Sequence, residues 1–199
     1  MTTLPISVIV CVRNRASVLG ECLDSVLANN PAEIIVVDGD STDDTRAIAN
    51  CVTTLIYSDG GRGLAYARQL GARKASQPFI AYVDSDVTLP HGTLARMLNE
   101  LQSGGFAGIH AQMLGAEMRN YWERAQDKHF QLTFNRPGER SAIGMVTALF
   151  DRNVILEHPF DPYFIGASED GDISARIREA GYKLGVSTAH IYHKHRADF

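Results

Sequence analysis

The sequence predicts an α/β fold with a mostly parallel central sheet and helices on both of its faces. Short runs of β-branched and other apolar residues alternate with segments whose apolar side chains recur every three or four positions. The apolar runs contain few polar residues, which is typical of strands that are buried on both faces. This alternation favours β–α–β units, and therefore parallel pairing with helices above and below the sheet.

The first half of the chain contains four predicted strands and the helices that connect them. The strands are predicted at residues 6–12, 34–37, 53–57 and 79–83. The helices are predicted at residues 16–29, from about Ser41 onward, and at residues 64–74. Asn30 and Pro31 end the first helix, and Ser41 offers a capping hydroxyl to the second.

The second half of the chain has weaker patterns. Helices are predicted at residues 92–101 and 117–130, and strands at residues 106–113, 142–146 and 184–188. Residues 136–141 are predicted to form a polar loop. A last helix follows an acidic cluster at residues 168–172, with Ile173, Ile177 and Ala180 on its apolar face and Gly181 at its end.

The composition indicates one soluble globular domain that spans residues 1–199. Hydrophobic residues make up 45% of the 199 residues and charged residues 21%, and no linker or repeat interrupts the pattern. The net charge of -4 and the lack of a basic run argue against nucleic acid as a partner. Cys11, Cys22 and Cys51 are odd in number and lack metal-type spacing, so we expect free thiols.

We expect a cytoplasmic protein. No stretch approaches the ~20 consecutive apolar residues that a membrane span needs. The N-terminus also lacks the basic and apolar regions of a signal peptide. This interpretation leaves open peripheral association at the inner face of the membrane, where the protein would meet a lipid-linked partner.

Each of the four predicted parallel strands is closely followed by an Asn or Asp residue. Asn14 follows the first strand, Asp38 the second, Asp59 the third, and Asp84 with Asp86 the fourth. The carboxyl ends of parallel strands meet at one edge of the sheet, which is where open α/β sheets bind ligands. The alternative explanation is that these residues only form turns, which Asn and Asp favour.

Asp84-Ser85-Asp86 offers two carboxylates directly after a buried strand. Hard cations such as Mg²⁺ and Mn²⁺ prefer oxygen ligands, keep several waters and are often shared with a substrate phosphate. A metal–diphosphate site and a plain turn are both compatible with these three residues taken alone.

Two further clusters near the C-terminus have both a chemical and a structural interpretation. The acidic cluster at residues 168–172 could belong to a site, or Asp172 and Asp170 could simply cap a helix whose dipole stabilises them. His190 with His193, or His193 with His195, could ligate a metal, or could be exposed residues near the terminus.

Taken together, these motifs resemble those of family-2 glycosyltransferases with the GT-A fold, a Rossmann-like fold that binds nucleotide sugars. The resemblance covers nearly the whole chain, with the motifs in the family's order. The matching segments are residues 8–10 with Asn14, 34–38, 40–43, Ala67 and Arg68 with Gly71, 83–86, Gly144, 159–161, 169–173, Arg176, 180–182, and Tyr192 with His193.

The resemblance implies a donor site in the first half of the chain, residues 1–90. Asp38 would hydrogen-bond the nucleotide base, and Asn14 and the segment before it would line the nucleoside pocket. That segment consists of Cys11, Val12 and Arg13. It stands where the family more often has Pro-x-Tyr, so stacking of that tyrosine on the base is lost. Because Asp38 can accept a hydrogen bond from an imide N–H, a UDP-sugar is favoured as the donor.

The resemblance also implies a metal and two carboxylates for catalysis. Asp84 and Ser85 would face the ribose and metal region, and Asp86 would coordinate Mn²⁺ or Mg²⁺ between the two phosphates. His193 would be an auxiliary contact to the metal or diphosphate, and Arg68 would support the acidic cluster.

In residues 91–199, the acceptor and catalytic half, Asp170 would be the general base, with Glu169 beside it as the second candidate. The acceptor would be a saccharide or a lipid-linked molecule, and the anomeric carbon would be inverted.

Two other functions remain open at this level. A non-catalytic nucleotide-sugar-binding paralogue, or a subunit of a larger synthase, would carry the same donor motifs. A sugar nucleotidyltransferase would share the layout and the metal, but usually has a Gly-rich, basic loop directly after the first strand. Here no glycine follows that strand until Gly20.

Overall fold

A computed structural model gives the fold, and the structure describes residues 2–116, 121–164 and 168–194. These residues form a single mixed sheet flanked by helices. The strands are β1 (Leu4–Val12), β2 (Pro31–Asp38), β3 (Ile56–Ser58), β4 (Phe79–Val83), β5 (Val87–Thr88), β6 (Gly108–Gly115), β7 (Gly138–Arg140), β8 (Thr147–Asp151) and β9 (Leu184–His193). The helices are α1 (Ala16–Leu27), α2 (Thr45–Asn50), α3 (Leu64–Lys74), α4 (Thr93–Gly104), α5 (Tyr121–Thr133), α6 (Arg152–Glu157) and α7 (Glu169–Glu179).

The first four strands pair in parallel, as the sequence predicts. Their order in the sheet is β3-β2-β1-β4, and each connection between consecutive strands contains a helix. The predicted α/β fold class is therefore confirmed. All four strands end at the same edge of the sheet, because parallel strands joined by crossover helices run in one direction.

Beyond β4 the sheet is mixed, so the prediction of a mostly parallel sheet holds only for the first half. Strand β8 lies between β4 and β6 and is antiparallel to both. Strand β9 is parallel to β6 and antiparallel to the short strands β5 and β7. The sequence shows only that β8 is an apolar segment, and the direction of its pairing depends on the whole topology.

Three predicted boundaries in the second half are wrong. Residues 142–146 precede a strand instead of forming one: Ile143 and Met145 are buried, and the Ile143 N–H donates to Ser174 Oγ of α7. The predicted loop at 136–141 contains β7, which pairs with β9. Strand β9 continues to His193, five residues beyond its predicted end, because β5 and β6 both pair with its last part.

The predicted helix at 117–130 corresponds to α5, whose described part begins at Tyr121 and ends at Thr133. Residues 117–120 lie outside the described part of the chain. In the last helix, Ile173 and Ile177 are fully buried as predicted, whereas Ala180 is exposed just beyond α7.

Helices cover both faces of the sheet, and each face has its own apolar core. One core packs α1 and α4 against the sheet, and the other packs α3, α6 and α7 against the opposite face. Neighbouring residues of β1 alternate between them, Val8 and Val10 in the first and Ile9 in the second. Helix α3 can lie close to β1 because Gly71 has no side chain. A Cβ atom at this position would be 2.4 Å from the Ile9 side chain.

The three cysteines are free thiols, as expected. Among the described helices, none has both the length and the apolarity that a membrane crossing requires.

Candidate active site

The polar residues after the parallel strands lie side by side at one edge of the sheet. Asp38 pairs with Val12 of β1 and with Ser58 of β3. The backbone continues this pairing beyond the strands, since the Asp59 N–H donates to the Asp38 carbonyl oxygen at 3.1 Å. Asp84 follows β4 at the same edge, and its N–H donates to the Val146 carbonyl oxygen before β8. The structure therefore places these predicted site residues on one edge.

A cavity of about 150 Å³ opens where β1, β2 and β3 end. Cys11, Val12 and Arg13 line it, and these are the residues that the family resemblance assigns to the nucleoside pocket. The remaining lining residues come from the end of β2, the loop after β3 and the first turn of α3; they are Val37, Gly39, Asp59, Gly61, Gly63, Leu64 and Ala67. Burial raises the pKa of the Cys11 thiol to about 12, with Arg68 acting against burial, so this thiol is uncharged at neutral pH.

Asn14 and Asp38 hold the loop beside this cavity. Asn14 has a φ of 51°, in the left-handed region that Asn tolerates better than most residues. Its N–H donates to Ser41 Oγ at 2.9 Å, and its Oδ1 accepts from the Thr42 N–H at 2.8 Å. Both carboxylate oxygens of the buried Asp38 lie 3.3 Å from the Ser41 nitrogen. In the described part of the chain, neither residue is among those that line the cavity.

Asp59 is a cavity residue that the sequence marked but did not assign. It is 5% exposed and lines the cavity, and its Oδ1 accepts the Gly61 N–H at 2.7 Å. The signal for it was its position directly after a parallel strand, the same signal that marked Asp38 and Asp84.

Arg68 connects three elements of the site from a buried position. Its side chain is 4% exposed and donates to Glu169 Oε1 at the start of α7 and to Asp84 Oδ1 at 3.4 Å after β4. Burial alone would lower the pKa of Arg68, but Asp84, Cys11 and Glu169 raise it overall, so the guanidinium stays charged. Arg68 therefore contacts Asp84 of the acidic cluster and Glu169 of α7, and its supporting role at a donor site stays a prediction.

Asp84 and Asp86 have different surroundings although one residue separates them. Burial raises the pKa of Asp84 to about 6, with Arg68 and His193 acting against burial and Asp86 adding to it. Ser85 between them is buried. Both side chains remain partly exposed, Asp84 by 34% and Asp86 by 21%, but Asp84 faces Arg68 whereas Asp86 Oδ1 lies 3.4 Å from His193 Nε2. Asp86 is therefore the carboxylate that a ligand can reach together with the histidine.

The C-terminal histidines lie differently from the sequence expectation. His190 and His193 belong to β9 and are partly buried, so they are not exposed terminal residues. Three positions apart on a strand, their side chains point to opposite faces, which rules out a metal site shared by this pair. His195, the partner of His193 in the other predicted pair, lies outside the described residues.

The donors at Asp86 fit a divalent cation of the kind that stays partly hydrated. Within residues 2–116, 121–164 and 168–194, no three His, Cys, Asp or Glu side chains come together as a complete metal cage. Mg²⁺ at phosphate-transfer sites commonly uses only one or two carboxylates, and waters and substrate phosphates complete its coordination. Asp86 with His193 provides such a partial set, with one oxygen and one nitrogen donor 3.4 Å apart.

Glu169 and Asp170 begin α7 but differ in what their carboxylates contact. Glu169 is 7% exposed and its carboxylate is bound to Arg68. Asp170 is partly exposed, and its Oδ1 accepts the Gly171 N–H at 2.8 Å. Both charges lie at the helix N-terminus, where the dipole stabilises them. Of the two, Asp170 has the carboxylate that a substrate can approach.

Replacing Arg68 with Lys should lower the free energy of unfolding by about 2 kcal/mol, the scale of one hydrogen bond between charged groups. A lysine keeps the charge but cannot bridge Asp84 and Glu169 with a planar fork. Urea unfolding measures the change. Arg62→Lys is the matched control, because Arg62 is exposed and its guanidinium lies 4.3 Å from the centre of the Tyr66 ring. Equal losses in the two variants would contradict the bridging role.

Comparisons with known proteins place the chain in a protein family. A family model described as Glycosyl transferase family 2 matches residues 7–157. The chain is 26% identical over 200 residues to Glycosyltransferase AglE of Haloferax volcanii, a match that covers 92% of this chain and 64% of that protein. The chain thus spans less than two thirds of this relative.

Solved structures show the same fold. S. aureus TarS in complex with UDP-GlcNAc matches with a TM-score of 0.76 at 19% identity, over 98% of this chain and 59% of that one. The mannosyltransferase PcManGT of Pyrobaculum calidifontis, in complex with GDP-Man and Mn²⁺, matches with a TM-score of 0.71 at 20% identity, over 93% of this chain and 57% of that one.

Proposed function

Because the chain belongs to glycosyltransferase family 2, we propose that it moves a sugar from a nucleotide-diphosphate sugar to an acceptor hydroxyl, with inversion at the anomeric carbon. One observation carries the proposal: the Asp86–His193 pair and the reachable carboxylate of Asp170 belong to one cluster, joined through Asp84, Arg68 and Glu169. The two fold relatives, which bind UDP-GlcNAc and GDP-Man, support a nucleotide-sugar donor.

The donor is held in two parts along the sheet edge. The nucleoside enters the cavity lined by Cys11, Val12 and Arg13, while Asn14 and Asp38 keep the adjoining loop in place. The diphosphate lies toward Asp84, Ser85 and Asp86. Asp38 is not among the residues that line this cavity, and its predicted hydrogen bond to the base stays a prediction.

Asp86 and His193 would hold Mn²⁺ or Mg²⁺ at the diphosphate, and the Mn²⁺ in the PcManGT complex supports such an ion here. When bound, the ion supplies a Lewis acid that neutralises the charge of the leaving diphosphate. Asp84 contributes by fixing the backbone before Asp86, since Arg68 lies 3.4 Å from its carboxylate.

Asp170 accepts the proton of the acceptor hydroxyl as that oxygen attacks the anomeric carbon. General-base catalysis requires a carboxylate within hydrogen-bond reach of the proton, and Asp170 is accessible at the first turn of α7. Glu169 fixes this turn through its ion pair with Arg68. With one base and no carboxylate nucleophile, a single displacement follows, and a single displacement inverts the anomeric carbon.

The acceptor side contains an exposed aromatic pair. Tyr121 and Trp122 are each 72% exposed at the start of the described part of α5, with their ring centroids 5.5 Å apart. Helix α5 packs beside the end of β6, where Gly115 pairs with His193. Exposed aromatic faces favour sugar rings and lipid interfaces, which supports a saccharide or lipid-linked acceptor and contact with the inner face of the membrane.

A donor panel tests this function against a binding-only role. UDP-, GDP- and dTDP-sugars are each incubated with the protein and Mn²⁺, and both thermal stabilisation and slow sugar release are measured. We expect one donor to stabilise the protein and to be hydrolysed. Stabilisation without hydrolysis would indicate a binding paralogue or a subunit that needs its partner, and no response to any donor would overturn the proposal.

A further inference from the structure

Asp59 is a buried carboxylate on the wall of the nucleoside cavity. It is 5% exposed, and its Oδ1 accepts one backbone N–H, that of Gly61. Among the described residues, no ion pair joins Asp59 to a Lys, Arg or His side chain. A carboxylate is costly to bury unless hydrogen-bond donors satisfy it. Oδ2 and the second lone pair of Oδ1 are therefore available to N–H donors of a ligand.

The rest of the cavity has the properties of a site for a flat heterocycle. Cys11, Val37, Leu64 and Ala67 provide an apolar wall next to Asp59. Arg13 lines the same cavity, and its side-chain stem lies over Gly39, where a Cβ atom would be 3.2 Å from Arg13 Cβ. The planar guanidinium of Arg13 can stack on a base in place of an aromatic ring.

The hydrogen-bonding pattern of Asp59 distinguishes between bases. An ionised carboxylate only accepts hydrogen bonds, through two parallel oxygens. Guanine presents two adjacent donors, N1–H and N2–H, which match those oxygens. Uracil presents a single N3–H between two carbonyl oxygens, so one carboxylate oxygen would face an acceptor and stay unpaired. Sites whose buried polar groups are left unpaired discriminate strongly against the wrong ligand.

We propose that Asp59 selects guanine, so that the donor is a GDP-sugar and not the UDP-sugar that Asp38 alone favours. This inference rests on the proposed function, because it assigns the base that the same donor site binds. Asp38, buried and bonded to the Ser41 N–H, then acts mainly by shaping the loop next to the base.

The affinities of GDP and UDP, each measured by calorimetric titration with Mn²⁺, test the assignment. We expect the natural protein to bind GDP at least about tenfold more tightly than UDP, the scale of one bidentate base contact. In Asp59→Asn the preference should reverse. The amide offers one acceptor and one donor, which complements the N3–H and a neighbouring carbonyl of uracil, and its oxygen still accepts the Gly61 N–H.

Asp40→Asn is the matched control. Asp40 is exposed on the neighbouring loop, where its Oδ1 accepts the Ser58 hydroxyl, so its substitution removes one negative charge without changing the cavity wall. It should change both affinities alike, and thermal melting confirms that both variants fold. Tighter binding of UDP by the natural protein, or an unchanged GDP/UDP ratio in Asp59→Asn, would overturn the inference and leave the proposed function standing. Failure to bind either nucleotide would contradict both.

Discussion

Asp170→Asn is expected to lower the rate of sugar transfer by about 10³-fold, within the range that general-base catalysis contributes. Asparagine has the same shape and can still accept the Gly171 N–H through its side-chain oxygen, but it cannot take up the acceptor proton. Binding of the nucleoside diphosphate should be nearly unchanged, because the nucleoside cavity does not include Asp170. Donor hydrolysis measures the rate, and calorimetry measures the binding.

Two variants of the same helix turn serve as controls for Asp170. Asp172→Asn removes a carboxylate that is paired with Arg176 on α7, and it should change the hydrolysis rate far less. Glu169→Gln weakens the ion pair with Arg68 and should lower stability together with rate. If Glu169→Gln abolished hydrolysis while Asp170→Asn remained active, Glu169 would be the base. Loss of nucleotide binding in Asp170→Asn would instead make Asp170 a structural residue.

Asp86→Ala is expected to weaken the Mn²⁺-dependent binding of the nucleoside diphosphate by at least about 100-fold. The reason is that a bound metal ion contributes several kcal/mol through its interaction with charged phosphate oxygens. Asp86 is the partly exposed carboxylate next to His193, and alanine leaves no oxygen at that position. Titrations with and without Mn²⁺ separate this metal-dependent part from the metal-independent binding of the nucleoside.

His193→Ala should weaken Mn²⁺-dependent binding less than Asp86→Ala does, because the Asp86 carboxylate remains as a ligand for the ion. Asp44→Ala is the matched control: Asp44 is exposed at the start of α2, and its side chain does not cap the helix. An Asp86→Ala protein whose titration with Mn²⁺ equals that of the natural protein would refute the metal assignment.

Local patterns predicted the first half of the fold and the residue types of the site. The apolar runs of β1, β2 and β4 and the spacing of α1 and α3 depend on neighbours within a few positions, which a sequence displays directly. The same locality explains why the Asp and Asn residues after these strands could be recognised as one group. Because the strands were expected to be parallel, their carboxyl ends had to lie at one edge of the sheet.

Patterns of this kind failed where pairing between distant segments decides the structure. The reversed direction of β8 follows from its insertion between β4 and β6, and nothing within Thr147–Asp151 encodes that direction. The extension of β9 to His193 likewise requires β5 and β6 as partners. Sequence could only place His190 and His193 near each other, whereas the strand geometry separates them.

By itself the sequence determined the α/β class, the edge of the sheet that carries the site, and the set of carboxylates from which the site is built. Only the tertiary structure decided how those carboxylates differ. Arg68 reaches Glu169 across 101 positions of sequence and leaves Asp170 accessible, and His193 comes within 3.4 Å of Asp86. These differences in accessibility and charge environment depend on burial and on contacts between remote segments, because the residues packed around a carboxylate determine its chemistry.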